Sequence, residues 1–365
     1  MTTMRMIDLI AGARPNFMKV APIIDALKKA GSTRYRLIHT GQHYDRNMSG
    51  SFFEELGIPA PDVNLGVGSG TQAEQTAGIM VGYEKVLSKE RSDLCLVVGD
   101  VTSTMACAIT AQKLCVPVAH VEGGIRSGDW TMPEEINRMV TDAITNLFFT
   151  TSEFANDNLK KAGVGADRIF FVGNTMIDTL LKQLPRLRRP AICDEIGLVA
   201  RRYLMLTLHR PSNVDDPAKL RVMLDAIMSG SREDIVVWPV HPRTRKVLAG
   251  LGGLETSRLV CCDPLGYLEF NYLVREARGV ITDSGGITEE TTVMDVPCMT
   301  LRDTTERPET VQMGTNELLG TNPASLKPFL DRLFCGDWKK GTIPPLWDGK
   351  AAERIVRVLS DYLSR

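Results

Sequence analysis

Acidic residues stand directly after two strand-like runs in the first half of the chain. Asp100 closes "VVGD" and Glu122 closes "AHVE". The glycine-rich segment after Glu122 then leads to Glu134, Glu135 and Arg138. Taken singly, each acid is typical of a helix cap or a first helical turn, where carboxylates face free amides. Taken together, and without metal-ligand spacing, they indicate paired general acids and bases that move protons.

A second group of candidate residues lies in the stretch "ITDSGGITEE". Ser284, Gly285 and Gly286 can present a hydroxyl and backbone amides to a phosphate at a helix start, because glycine admits close approach. Glu289 and Glu290 follow one turn later, where a carboxylate can accept two hydrogen bonds from adjacent sugar hydroxyls. The stretch therefore predicts a nucleoside diphosphate site rather than a mononucleotide or metal site.

Basic residues and histidines mark three further turns. "GARPNFMK" follows the first strand-like run and opens a helix, which puts Arg14 and Lys19 near amides that favour an anion. The alternative is a tight turn with a solvated arginine, since the chain has neither a GxGxxG fingerprint nor a P-loop. "LTLHRPSN" and "WPVHPRTR" place His209 and His241 at strand ends. His209 is the better functional candidate, whereas His120, inside a strand-like run, is expected to be structural.

The order of apolar runs indicates the elements that position these residues. Short β-rich runs such as "MIDLIAG", "DLCLVVGD" and "LFFTTS" alternate with amphipathic helical segments. Such runs suit strands that are buried on both faces and joined by helices, so the sequence predicts parallel α/β sheets. Ligands of open sheets of this kind bind at the carboxyl ends of the strands, where helix N-termini point outward.

The chain is expected to divide near its middle. Its 365 residues exceed what one hydrophobic core usually serves. The basic, proline-bearing stretch "PRLRRPAICDEIG" interrupts the alternation, which restarts at "RYLMLTLHR". We expect an N-terminal domain over residues 1–182 and a C-terminal domain over residues 196–349. The last segment, residues 350–365, is predicted to be an amphipathic helix.

Composition restricts the classes of partner and compartment. The 43 basic and 44 acidic residues give a net charge of -1, so no global field attracts nucleic acid or an anionic membrane. The 8 cysteines show no CxxC or Cys/His ligand spacing, which predicts free thiols and no metal. The start, "MTTMRMIDLIAGARP", contains an apolar segment that is too short for a signal peptide, and no long uncharged apolar run follows it. We therefore expect a cytoplasmic protein with no membrane partner.

Motifs along nearly the whole chain resemble those of the non-hydrolysing UDP-N-acetylglucosamine 2-epimerases, in the family's order. The matching stretches are "GARPNFMKVAP", "TGQHYD", "VVGDVTST", "HVEGGIRS", "PEEINR", "FVGNTMIDTL", "LHRPSN", "TDSGGITEE" and "LRDTTERPETV". The resemblance implies the GT-B fold, in which two Rossmann-like domains with parallel sheets face a central cleft. It also implies a last helix that packs back on the N-terminal domain, a homodimer, and a small-molecule UDP-sugar substrate. We expect no cofactor.

The motif residues and the resemblance together suggest roles for individual side chains. The residues expected to bind UDP and the sugar are Arg14, Lys19, Arg138, His241, Ser284, Gly285, Gly286 and Glu290. The residues expected to catalyse the reaction are Asp100, Glu122, Glu134 and His209. The resemblance implies that Glu290 receives the ribose hydroxyls and that His209 supports the departing phosphate.

The reaction implied by the resemblance is inversion at C2 of a UDP-2-acetamido sugar, UDP-GlcNAc to UDP-ManNAc, through loss and return of UDP. In some members a second substrate molecule is bound by glutamine and arginine side chains. Here Gln42 is present but no arginine lies near Ser69. UDP-2,3-diacetamido-2,3-dideoxy-glucuronate is therefore an alternative substrate, and a hydrolysing 2-epimerase that releases ManNAc and UDP is an alternative activity. A GT-B glycosyltransferase or a nucleotide-sugar sensor would not require three catalytic acids.

Overall fold

The computed structural model describes residues 4–41, 55–240, 242–251 and 257–364. The chain forms two compact units, of which the first comprises residues 1–182 with 345–365 and the second residues 183–344. The basic stretch after Lys182 thus belongs to the second unit, whereas the sequence predicts that it lies in neither domain. Residues 345–349 belong to the first unit, whereas the sequence predicts that they lie in the C-terminal domain.

A parallel sheet forms the centre of the first unit. Its strands are β1 (Met6–Ala11), β2 (Arg34–His39), β3 (Val63–Asn64), β4 (Leu94–Val98), β5 (Val118–Val121), β6 (Leu147–Thr150) and β7 (Ile169–Phe171). Within the part of the chain that the structure describes, their order across the sheet is β3-β2-β1-β4-β5-β6-β7. Strands β1, β4, β5 and β6 are buried at every residue. This confirms the prediction that the apolar runs form parallel strands covered on both faces.

Helices connect these strands and begin and end at recognisable signals. They are α1 (Arg14–Ala30), α2 (Gln72–Lys89), α3 (Thr102–Lys113), α4 (Pro133–Ile144), α5 (Glu153–Lys161) and α6 (Thr175–Gln183). Helix α1 ends at Gly31, whose left-handed backbone (φ 65°) lets its amide bond to the Leu27 carbonyl at 3.0 Å. Helix α2 begins with a capping box, in which Thr71 and Glu74 bond reciprocally at 3.2 and 2.9 Å.

The second unit repeats this arrangement. Its strands are β8 (Tyr203–Thr207), β9 (Ile235–Pro239), β10 (Leu259–Cys262), β11 (Gly279–Thr282), β12 (Cys298–Thr300) and β13 (Asn316–Leu318). Its helices are α7 (Ile192–Glu195), α8 (Pro211–Val214), α9 (Pro217–Gly230), α10 (Pro242–Ala249), α11 (Tyr267–Glu276), α12 (Gly285–Val293), α13 (Pro308–Gln312) and α14 (Leu326–Phe334). The described strands pair in parallel in the order β10-β9-β8-β11-β12-β13.

Each sheet has one point at which the order of its strands reverses. Strand β1 lies between β2 and β4, and β8 lies between β9 and β11. Open α/β sheets bind ligands outside the carboxyl ends of their strands at such a point, because the flanking loops diverge there. Ligand-binding residues are therefore expected after β1, β4 and β5 in the first unit and after β8 and β11 in the second.

The last helix, α15 (Ala351–Leu363), belongs to the first unit and packs against α1. Its apolar face buries Ile355, Val356 and Leu359. Trp347, just before the helix, is buried and donates from Nε1 to the carbonyl of Thr151 at 3.0 Å. Neither α15 nor any other helix in the described ranges is long and apolar enough to span a membrane.

Asp178 of α6 caps the start of α15. Its buried carboxylate accepts hydrogen bonds from the amides of Ala351 and Ala352 at 3.1 and 2.8 Å. We predict that Asp178→Ala lowers the free energy of unfolding by about 1 to 3 kcal/mol, because these donors lose their acceptor. Chemical denaturation measures this loss. Asp157→Ala, at an exposed aspartate of α5, should change stability by less than about 0.5 kcal/mol. An equally small effect of Asp178→Ala would contradict the cap.

Candidate active site

The turn between β1 and α1 is fastened to the end of β4. The Asn16 side chain accepts hydrogen bonds from the amides of Gly12 and Ala13 at 3.3 and 3.0 Å. The same side chain donates to the Val98 carbonyl at 2.9 Å. Gly12 has no room for a side chain, since a Cβ there would lie 2.0 Å from the Ser103 hydroxyl oxygen. The turn predicted to bind an anion therefore has a tightly held backbone.

Lys19 and Glu122 form a buried ion pair at this edge of the sheet. The Lys19 Nζ lies 2.8 Å from Glu122 Oε2, and the two side chains are 10% and 3% exposed. Glu122 follows β5 with a left-handed backbone (φ 70°), which costs a non-glycine residue on the order of 1 to 3 kcal/mol. Gly99 lies alongside, since a Cβ there would be 3.3 Å from the Lys19 Nζ. A buried ion pair on a strained backbone indicates a carboxylate placed for function rather than stability.

Asp100 lies two residues beyond β4, next to Gly99, and is held by α4. Arg138 donates to the Asp100 carboxylate from one terminal nitrogen and to Glu135 from the other, the latter at 2.9 Å. Asn137 donates to the Asp100 carbonyl at 2.8 Å. Helix α3 begins after Val101 without a side-chain cap bond, so the alternative of Asp100 as a helix cap is wrong. Its carboxylate keeps 29% exposure beside a buried guanidinium.

The two adjacent acids of α4 have different surroundings. Glu135 is buried and accepts hydrogen bonds from the Ser127 amide at 2.9 Å and the Gly128 amide at 3.1 Å. Burial alone would raise the pKa of Glu135, but these bonds and Arg138 lower it, so Glu135 is an ionised anchor for the turn. Glu134 is half-buried and has no hydrogen bond or ion pair to any other residue that the structure describes. Its carboxylate is therefore available to a substrate.

His120 stabilises this edge of the first sheet through two hydrogen bonds. It is fully buried, with Nδ1 2.8 Å from Asp142 and Nε2 2.8 Å from the Gly99 carbonyl. Asp142 also pairs with Arg126 at 2.6 Å and accepts from the Gly124 amide at 3.0 Å. Burial alone would raise the pKa of Asp142, but His120 and Arg126 lower it. The network ties the loop after β5 to the end of β4, which agrees with the structural role predicted for His120.

In the second unit, Asp283 follows β11 and binds residues that follow β8. Its fully buried carboxylate accepts hydrogen bonds from the amides of His209 and Arg210 at 3.0 and 2.9 Å. It also accepts from the Asn213 side chain at 3.0 Å. The imidazole Nδ1 of His209 lies 2.8 Å away, although 59% of that side chain is exposed. Burial alone would raise the pKa of Asp283, but His209 and the amides lower it, so the carboxylate stays ionised.

Helix α12 begins directly after this cluster. Ser284 is its N-cap residue, and the Ser284 side chain makes no cap hydrogen bond. A Cβ on Gly285 would lie 2.8 Å from the Glu306 carboxylate and 3.5 Å from Arg302, whereas a Cβ on Gly286 would meet open space. Only glycine fits at the first of these positions without displacing the charged side chains. The amides at this helix start favour an anion, as predicted for a diphosphate.

The two acids of α12 also differ in their partners. Glu289 is almost fully buried and pairs with Arg307 at 2.5 Å. Glu290 accepts hydrogen bonds from the Tyr267 hydroxyl at 2.8 Å and from Asn271 at 3.4 Å. Burial raises the pKa of Glu290 to about 7, and the two hydrogen bonds offset this only in part. Glu290 is thus the acid whose charge can change on binding, while Glu289 is held by a cation.

The structure places the predicted residues in two groups, one in each unit. At the edge of the first sheet lie Lys19, Asp100, Glu122 and Arg138, and Glu134 lies in the first turn of α4. After β8 and β11 in the second unit lie His209, Ser284, Gly285, Gly286 and Glu290. His241 is outside the described residues, and only the backbone of Arg14 is described. No group of His, Cys, Asp or Glu in the described ranges is suited to hold a metal ion.

Three residues that fix the site are not among those expected to bind the substrate or to catalyse the reaction. Asn16 fixes the first turn, Glu135 fixes the loop before α4, and Asp283 fixes the loop after β8. Each has a local signal, because each follows a strand end or lies in the first turn of a helix. Asn16, Glu135 and Asp283 also bond to Val98, Ser127 and Arg210, which lie outside their own turns, and the local pattern does not reveal these partners.

Known proteins are similar to this chain over nearly its whole length. The family model described as UDP-N-acetylglucosamine 2-epimerase matches residues 25–360. The UDP-N-acetylglucosamine 2-epimerase of Methanocaldococcus jannaschii is 40% identical over 364 residues, covering 97% of this chain and 98% of that protein. The UDP-2,3-diacetamido-2,3-dideoxy-D-glucuronate 2-epimerase of Pseudomonas aeruginosa is 41% identical over 315 residues, covering 85% and 87%.

A solved structure gives the same result for the fold. The crystal structure of the Methanocaldococcus jannaschii UDP-GlcNAc 2-epimerase in complex with UDP-GlcNAc and UDP matches with a TM-score of 0.87 at 40% identity. The match covers 98% of this chain and 99% of that one. With the two parallel-sheet α/β units described above, this similarity confirms the prediction of a GT-B fold built from Rossmann-like domains.

Proposed function

The chain belongs to the UDP-N-acetylglucosamine 2-epimerase family and is an isomerase, and we propose that it inverts C2 of UDP-GlcNAc to give UDP-ManNAc. The Methanocaldococcus jannaschii relative carries this activity in its name, and its crystal structure contains UDP-GlcNAc and UDP. The reaction needs carboxylates that move a proton and an anion site that holds a diphosphate. Each unit of this chain offers one of the two.

The chemistry explains why one acid is not enough. The proton on C2 is barely acidic, because no carbonyl lies next to that carbon. When the bond between C1 and the diphosphate oxygen breaks, positive charge at C1 acidifies the C2 proton. A carboxylate then takes this proton, and a double bond forms between C1 and C2. Return of a proton to the opposite face of C2, and of the UDP oxygen to C1, gives the epimer. Two faces require two proton carriers.

We assign these proton transfers to Asp100, Glu122 and Glu134. The observation that carries the assignment is that Glu122 pairs with buried Lys19 and Asp100 with buried Arg138, both at the edge where open α/β sheets bind ligands. A cation beside each carboxylate compensates its charge when water is excluded. The half-buried Glu134 adds a carboxylate with no described partner.

We assign nucleotide binding to the second unit. The amides at the start of α12, with Ser284 and Gly285, suit the diphosphate, and His209 stabilises the negative charge that grows on the leaving group. Glu290 lies one turn further along α12, where its carboxylate can accept the ribose hydroxyls. Arg14 and His241 are assigned to the same substrate on the sequence motifs alone.

Incubation with UDP-GlcNAc in deuterated water, followed by NMR, tests this function. We expect deuterium at C2 of intact UDP-GlcNAc and UDP-ManNAc, because the proton that returns to C2 comes from a carboxylate that exchanges with solvent. A sample without protein is the control. Release of free UDP and ManNAc would instead indicate the hydrolysing reaction, and an unchanged spectrum would contradict UDP-GlcNAc as the substrate.

The same experiment separates the alternative substrate. The Pseudomonas aeruginosa relative, named for UDP-2,3-diacetamido-2,3-dideoxy-D-glucuronate, is 41% identical over 315 residues, and the Methanocaldococcus jannaschii one is 40% identical over 364 residues. The percentage sequence identity alone therefore does not indicate which of the two sugars is the substrate. A parallel incubation with the diacetamido uronate should give slower deuterium incorporation at C2 than UDP-GlcNAc does. Faster incorporation would make the diacetamido uronate the substrate in place of UDP-GlcNAc. A homodimer and a cytoplasmic location are further proposals that rest on the family resemblance.

A further inference from the structure

We propose that Asp283 is a positioning residue for His209, binding the imidazole at Nδ1 so that Nε2 faces the departing diphosphate. The inference deepens the proposed function and rests on it for the identity of the ligand. Asp283 itself touches neither the substrate nor the reacting atoms, and it acts through His209, which is proposed to touch the diphosphate.

The sheet itself brings the two residues together. Strands β8 and β11 are neighbours in parallel register, with Thr207 opposite Thr282, and the hydroxyls of these threonines bond at 2.6 Å. The chain therefore leaves both strands side by side. Asp283 is the next residue after β11, and His209 comes two residues after the end of β8. Ser284, the N-cap of α12, follows Asp283, so the imidazole is anchored beside the proposed diphosphate site.

Hydrogen-bond polarity fixes which ring nitrogen carries a proton. Asp283 is ionised and can only accept, so the imidazole Nδ1, 2.8 Å away, must donate. In the neutral ring Nε2 is then the acceptor, and in the charged ring it is a donor. Nε2 has no hydrogen bond to any residue in the described ranges, and 59% of the side chain is exposed. A diphosphate that gains negative charge favours the charged ring, whose Nε2–H can bond to it.

Asp283 also has a purely structural role, from which this one must be separated. The same carboxylate holds the amides of His209 and Arg210 and the side chain of Asn213. Asn213 donates hydrogen bonds to Asp283 and to the Leu301 carbonyl and makes no hydrogen bond to the imidazole. Asn213→Ala therefore disturbs the anchor without removing the contact to Nδ1, which makes it the matched control variant.

The first test uses the unaltered protein. NMR of ¹⁵N-histidine-labelled protein reports which ring nitrogen is protonated, and the His209 signals are those that His209→Gln removes. For the neutral ring we expect a proton on Nδ1 and none on Nε2. Histidine free in water prefers the opposite tautomer, so the reverse pattern for His209 would overturn the proposal without any change to Asp283.

The second test is a double-mutant cycle in kcat with Asp283→Asn and His209→Ala. If Asp283 acts through His209, Asp283→Asn should reduce kcat by about 10-fold or more in the wild type, a share of the roughly 10²- to 10⁴-fold that acid–base groups contribute. It should have little further effect in His209→Ala. When the cycle is repeated in the Asn213→Ala background, the coupling in kcat between Asp283 and His209 should be the same. Equal losses in both backgrounds would mean that Asp283 is only a structural anchor.

Different results would contradict the positioning role of Asp283 and the proposed function. If Asp283→Asn does not fold, the tautomer measurement on the unaltered protein still decides the proposal. If deuterium never enters C2 but His209 shows the Nδ1–H tautomer, then the proposed function is wrong while the pairing of Asp283 with His209 stands. If deuterium enters C2 and the tautomer is the reverse, the function stands and the positioning role does not.

Discussion

Glu122→Gln is expected to reduce kcat by about 10²- to 10⁴-fold, the range that general acid–base catalysis contributes. Glutamine has nearly the same shape as glutamate but cannot take up and return a proton. The same substitution should abolish deuterium incorporation at C2 of the UDP-sugar. UDP affinity, measured by calorimetry, should change little, because Glu122 is assigned to proton transfer at C2 and not to the nucleotide. Asp100→Asn should give the same pattern.

A loss of stability must be distinguished from a loss of chemistry. Glu122→Gln leaves the buried ammonium of Lys19, 2.8 Å away in the wild type, without its counter-ion. The double variant Lys19→Met, Glu122→Gln removes both charges and should recover stability but not turnover. Glu84→Gln, at an exposed position of α2, is the matched control and should behave as wild type. Near-normal turnover by folded Glu122→Gln would show that another acid moves the C2 proton.

The parallel sheets are predictable because burial on both faces leaves a direct signal in the sequence. Strand β4 reads LCLVV and is buried at each of its residues. Helix limits are less visible. The segment "GARPNFMK" is predicted to open a helix but does not specify the first helical residue. Helix α1 starts at Arg14, because Pro15 fits the first helical turn, where its missing N–H is no loss. The break at Gly31 is visible, since a left-handed residue there ends the helix.

The site is only partly predictable, because its geometry depends on contacts between distant segments. Residue type and strand-end position are enough to propose Asp100, Glu122 and His209 as candidates. They do not separate Glu134 from Glu135, which are neighbours in the same helical turn. That difference depends on Ser127 and its neighbour, whose amides turn back toward α4 and hold only Glu135. The pairing of Asp283 with His209 likewise depends on β8 lying next to β11, which the local pattern does not specify.

Affinity for UDP-GlcNAc is expected to fall about 10²-fold when the pH is lowered from 8 to 5, because of Glu290. Burial raises the pKa of its carboxyl to about 7. Above this pH the carboxylate is ionised and can accept two ribose hydroxyls. Below it the carboxyl must first lose a proton, so affinity falls about tenfold for each further pH unit. Glu290→Gln should bind more weakly at pH 8 and show no such dependence, because a glutamine side chain does not titrate.

The measurement must exclude other groups that titrate in the same range. UDP is unsuitable as the ligand, because a terminal phosphate has a second pKa of about 6. The UDP-sugar lacks that ionisation, and calorimetry in the Glu122→Gln background prevents its turnover. A fall in affinity on acidification that persists in Glu290→Gln would therefore assign the ribose contact to a different residue.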